Sequence, residues 1–124
     1  MGSIGTSTII SEPIKGTPLI FGRADIHEDY IGIDGYSNKK TLEGALSDLA
    51  KAVEKYDKGE ADSLRMAISN GETMQIHNDR TAGPAQYILE YEEVPSASQY
   101  NEQTNDTEYK DAKWYVYTRI VRNK

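Results

Sequence analysis

One segment of the chain carries a sustained helical period. Between Thr41 and Tyr56, the residues Leu42, Leu46, Leu49, Val53 and Tyr56 recur at alternating steps of four and three. That spacing draws a single apolar stripe and predicts an amphipathic helix over about 41–58. Thr41 suits the N-cap, and Glu43 puts a negative charge in the first turn, where the helix dipole favours it. Lys55 and Lys58 stand near the other end, and Gly59 suits the left-handed residue that closes a helix. Glu43, Asp48, Lys51, Glu54 and Lys55 fall off the stripe and are expected in solvent.

Period-two patterns flank this segment. Pro18 to Ile26 and Tyr30 to Asp34 read as strands that turn around His27-Glu28-Asp29, with Asp34-Gly35 as the turn before the helix. After the helix, Leu64, Met66 and Ile68 alternate up to Asn70-Gly71, and Met74 and Ile76 alternate beyond it. This predicts a hairpin. A three-residue loop at Ser69-Asn70-Gly71 pairs Met66 with Met74 and Leu64 with Ile76, which keeps one face apolar. Gln86 to Val94 reads as a strand with Tyr87, Leu89 and Tyr91 on one face and Glu90 and Glu92 on the other. Lys113 to Val121 is the last strand. Its two faces are both apolar or aromatic, which suits a central strand or one covered at an interface.

The sum is an α+β fold, with one amphipathic helix packed on a mostly antiparallel sheet of four to six strands as a two-layer sandwich. Residues 1–17 read as a flexible N-terminal arm, in which Thr8-Ile9-Ile10 can add to a sheet edge. Residues 18–124 read as a single domain, with a long acidic loop at 95–112.

Composition narrows the class. A chain of 124 residues suits one domain with a modest core. Cysteine is absent, which excludes disulfides, thiol catalysis and thiolate zinc sites. No apolar run approaches the ~20 residues that span a bilayer, and no secretory leader pattern is visible, so no membrane association and a cytoplasmic location are expected. The net charge is −6, and it is concentrated. Residues 85–112 hold seven acids (Glu90, Glu92, Glu93, Glu102, Asp106, Glu108 and Asp111) against the single base Lys110, and the remaining chain is neutral. Such a segment repels nucleic-acid phosphates and attracts basic protein surfaces.

Three sets of residues carry candidate chemistry. The acidic set just named is the expected contact for a partner protein with a basic surface. Arg23 and Arg80, with Tyr87, Tyr91, Tyr115 and Tyr117, form an alternative set for a small anionic, nucleotide-like ligand. Tyrosine, at nine residues against one phenylalanine, suits surfaces that are apolar on one side and polar on the other. Arg23 lies in an apolar strand and needs a carboxylate partner such as Asp25. The third set pairs His27 with Asp29 and His77 with Asp79, candidates for a divalent metal or for an oriented base in a metal-dependent hydrolase.

No stretch matches a specific catalytic or cofactor motif, and no cofactor is expected. The reading is of a small acidic binding protein without catalytic activity, of the inhibitor, immunity or phage and mobile-element accessory type. It would form a homo-oligomer through its tyrosines and make no direct nucleic-acid contact.

Overall fold

A computed structural model of the protein describes residues 10–74, 87–93, 96–101 and 106–121. The chain forms an α+β fold of seven strands and two helices among these residues. Strands β1 (Ile10–Pro13), β2 (Ile20–Ile26) and β3 (Tyr30–Ser37) precede helices α1 (Leu42–Val53) and α2 (Lys58–Ser69). Strands β4 (Tyr87–Glu93), β5 (Ser96–Asn101), β6 (Asp106–Asp111) and β7 (Trp114–Val121) follow. The main sheet is antiparallel, with strand order β1-β2-β3-β7-β4. β5 and β6 pair with each other as a separate two-stranded sheet, so the segment expected as a loop at 95–112 carries strands. β1 and the buried Ile14 likewise fall within residues 1–17, read from the sequence as an arm.

Helix α1 forms as its stripe predicts. The Thr41 side chain caps it by accepting a hydrogen bond from the Gly44 amide at 3.1 Å. Leu46, Leu49 and Val53 are buried, and Leu42 and Tyr56 pack at the margin. They meet Ile31, Ile33, Val116 and Ile120 of β3 and β7, against which α1 lies. Each large aliphatic side chain removed from water in this way contributes about 1.5–3 kcal/mol.

Two expectations about the helical region fail. The first concerns where α1 ends. It stops at Val53, and the Asp57 side chain caps α2 by accepting from the Glu60 amide at 3.1 Å. Gly59 therefore sits in the first turn of α2 and does not close α1. The second is the hairpin expected over 64–76: its first strand, Leu64 to Ile68, lies in α2, and Ile76 lies outside the described residues. Ala61 and Leu64 are buried and Ile68 packs on the core, a spacing of three and four, while Met66 turns outward at 65% exposure. Asn70-Gly71 ends this helix. Gly71 takes φ +76°, its amide donates to the Ile68 carbonyl at 3.1 Å, and the Glu72 amide donates to the Ala67 carbonyl at 2.9 Å. That pair of bonds is the Schellman closure, which needs a left-handed residue at this position.

Asp48 is a further correction. Expected in solvent, it is buried at 1% exposure. Its carboxylate accepts from the Ser37 hydroxyl at 2.8 Å and from the Lys39 ammonium at 3.1 Å. The end of β3 is thereby pinned to the middle of α1. A carboxylate tolerates burial only with such partners. Arg65 ties the helices together at the surface, bonding Glu54 at 2.6 Å and Asp62 at 3.4 Å.

Asp34-Gly35 does not turn the chain, because β3 runs on to Ser37. β2 carries an irregularity opposite this part of β3. Its register shifts between Ile20 and Arg23, and Phe21 takes φ +56° there, a strained value for an aromatic residue. Gly35 accommodates the crowding. A Cβ at that position would stand 3.1 Å from both the Gly22 backbone and the Leu19 side chain.

Candidate functional site

Alternation along β3 and β7 divides the sheet into two unlike faces. Ile31, Ile33, Gly35 and Ser37 of β3 are buried, as are Val116, Thr118 and Ile120 of β7. The intervening residues belong to the opposite face: Tyr30, Gly32, Asp34 and Tyr36 of β3, and Tyr115, Tyr117 and Arg119 of β7. Register sets Tyr36 beside Tyr115, Asp34 beside Tyr117, and Gly32 beside Arg119. β2 extends these rows, with Arg23 opposite Asp34 and Asp25 opposite Gly32.

Contacts within the face hold it in order. The Tyr115 hydroxyl donates to Asp34 Oδ2 at 2.9 Å. The Tyr36 and Tyr115 rings lie 5.2 Å apart at a 56° tilt. At the other end, the His27 ring stacks on Tyr30 at 4.0 Å, and the Arg119 guanidinium lies 4.4 Å from the Tyr30 ring centre. On β1, the Ser11 hydroxyl donates to the Asp25 carboxylate.

Electrostatics follow from partial burial. Burial raises the pKa of Asp34, the Tyr115 hydrogen bond offsets part of that rise, Asp25 adds to it and Arg23 opposes it. Tyr115 is pushed well above the ordinary phenol range, first by burial and then by the Asp34 charge. It therefore remains a donor at every physiological pH. The set presents ring faces, hydroxyls and carboxylates in fixed positions, which suits recognition of a surface.

The candidates read from the sequence separate into groups. Arg23, Tyr115 and Tyr117 share the face just described. Glu90, Glu92 and Glu93 lie in β4, at the register positions of Tyr117, Tyr115 and Trp114. Tyr87 and Tyr91 take the alternate positions, beside Ile120 and Val116. Asp106, Glu108 and Asp111 belong to β6, paired with Asn101, Gln99 and Ser96, so the acidic set is divided between two sheets. Glu102, Arg80, His77 and Asp79 lie outside the described residues. His27 and Asp29 border the β2–β3 turn, where the His27 amide donates to the Tyr30 carbonyl at 2.9 Å. Among the described residues, no group of three or more His, Cys, Asp or Glu side chains could hold a metal ion.

Four residues of the face were not singled out from the sequence: Tyr30, Asp34, Tyr36 and Arg119. Continuing the β3 alternation past Asp34 would have found Tyr36, but the pairing of β3 with β7 has no local signature. Among the described residues, no helix is long and apolar enough to cross a membrane. Comparison with protein-family models, curated proteins and solved structures finds no match.

Proposed function

We propose that this is a small binding protein without catalytic activity, which covers a basic surface on a protein partner. It acts in the cytoplasm, as an inhibitor, immunity or mobile-element accessory protein does, with the helices forming one layer and the sheet the other. The observation that carries this reading is the shared register of Glu90 and Glu92 with Tyr117 and Tyr115. Without β4, the face balances Asp25 and Asp34 against Arg23 and Arg119. The two glutamates add negative charge to rows already rich in tyrosine. Aromatic residues with complementary charge are the ordinary composition of a protein-binding surface.

Charge reversal tests the reading. The probe is a basic peptide, titrated calorimetrically at physiological ionic strength. Replacing Glu90, Glu92 and Glu93 by lysine should weaken binding by more than about tenfold. A control of equal net charge, with Glu43, Asp62 and Glu72 replaced by lysine, should bind nearly as well as the parent chain. Equal losses in both variants would reduce the effect to net charge and sink the reading.

A second reading draws on Arg23, Tyr115 and Tyr117 sharing one face. It is an oligomer that binds a small anionic, nucleotide-like ligand at that face. A ligand that binds only the folded state raises its melting temperature. A flat response across a nucleotide panel would eliminate this reading.

A further inference from the structure

We infer that the sheet face selects arginine over lysine in its protein partner, and that the Tyr36–Tyr115–Asp34 corner receives the arginine. The inference rests on the partner-binding reading above and specifies the chemistry of the partner.

One of the face's own two arginines, Arg23 and Arg119, already stacks on a ring. Arg119 lies over the Tyr30 ring at 4.4 Å, in the row next to Gly32. Gly32 leaves room for the flanking rings. A Cβ there would meet Tyr117 Cε1 at 3.7 Å and Tyr30 Cε2 at 4.0 Å, so both rings approach the backbone that a larger residue would cover. The opposite end of β3 offers the same ingredients. Tyr36 and Tyr115 present two rings at a 56° tilt, and Tyr115 donates to one oxygen of Asp34. A carboxylate has lone pairs for several donors, so this bond leaves Asp34 able to accept from a cation.

The geometry favours a guanidinium. It is planar, weakly hydrated and able to stack on a ring while its N–H groups reach a carboxylate. An ammonium is compact and strongly hydrated, and it loses more on leaving water for a half-buried corner. Asp34 is also desolvated, as its raised pKa records. A partner cation there must give up water, which widens the difference between the two side chains.

The test uses two peptides identical except that every basic position is arginine in one and lysine in the other. The parent chain should bind the arginine peptide about tenfold more tightly. Replacing Tyr36 and Tyr115 together by leucine should remove the preference, so that the arginine and lysine peptides bind with equal affinity. Equal affinity of the parent chain for both peptides would overturn this inference and leave the partner-binding reading standing. Binding of neither peptide would overturn both. The parent comparison needs no variant, so a poorly folded double substitution would not obscure the result. If a folded double variant, or Tyr36→Leu alone, kept the full preference, the assignment to this corner would be wrong.

Discussion

β3 places two aspartate environments within a few residues of each other, on opposite faces of one sheet. On the helix face, Asp48 of α1 reaches Ser37 and is almost wholly buried. On the other face, Asp34 is half-buried, bonded to Tyr115 and flanked by Arg23 and Asp25. The contrast separates two uses of a carboxylate. Asp48 is surrounded by donors that belong to the fold, and its role is to hold α1 on the sheet. Asp34 has one donor from the fold and faces charged residues of both signs, as the proposed partner contact requires.

The largest effect should come from breaking the buried member. Asp48→Ala removes the acceptor for a buried hydroxyl and for Lys39, and should lower stability by about 2–3 kcal/mol. Asp34→Ala, in contrast, should cost under about 1 kcal/mol, because loss of the Tyr115 bond is offset by relief of desolvation. Urea unfolding of the two variants measures the gap directly. Similar losses for both would show that the faces are not divided as described.

Gly35→Ala should rank next, at about 1–2 kcal/mol. Its new methyl would press on Leu19 and on the Gly22 backbone, 3.1 Å away in each case. Gly32→Ala, three residues earlier and so on the opposite face, meets only ordinary contacts and should leave the melting temperature nearly unchanged. Thermal melts of this pair repeat the comparison of faces without involving charge.

These same features explain what could be read from the sequence. The α1 stripe was legible because Leu46, Leu49 and Val53 are large, apolar and local. α2 was not, because Leu64, Met66 and Ile68 fit a period of two as well as a helix, and Asn70-Gly71 serves a hairpin turn or a helix end equally well. The helical face is completed by Ala61, which is buried, and alanine contributes little to an apolar pattern. Asp48 was misread for a related reason. The buried surface of α1 includes Ala45, Ala50 and Ala52, so it is wider than its leucines mark. The tyrosines of β7 were legible as a surface, but the Asp34–Tyr115 bond joins residues 81 positions apart. No local pattern encodes such a pairing.

The smallest predicted effect is the most specific to the open face, and it concerns pH. The folded pKa of Asp34 lies above its unfolded value, because burial disfavours the charged form. Folding therefore favours the protonated acid. The resulting stability is fully present below the unfolded carboxylate value of about 3.9 and is lost as pH rises through the folded pKa. Asp34→Asn keeps an acceptor for Tyr115 and cannot titrate. The stability of the parent chain relative to this variant should thus fall as pH rises through the acidic range, measured as urea midpoints at a series of pH values. A difference that is flat or rises with pH would mean that the Tyr115 bond outweighs desolvation. Binding should run the other way. A guanidinium docked on Asp34 favours the ionised form, so affinity for an arginine peptide should increase with pH over the same window; the β4 glutamates contribute to that rise, and Asp34→Asn should make it shallower. Opposite slopes for folding and binding at one residue would mark a carboxylate held ready for a partner, because a carboxylate committed to the fold would gain stability and not lose it as it ionised.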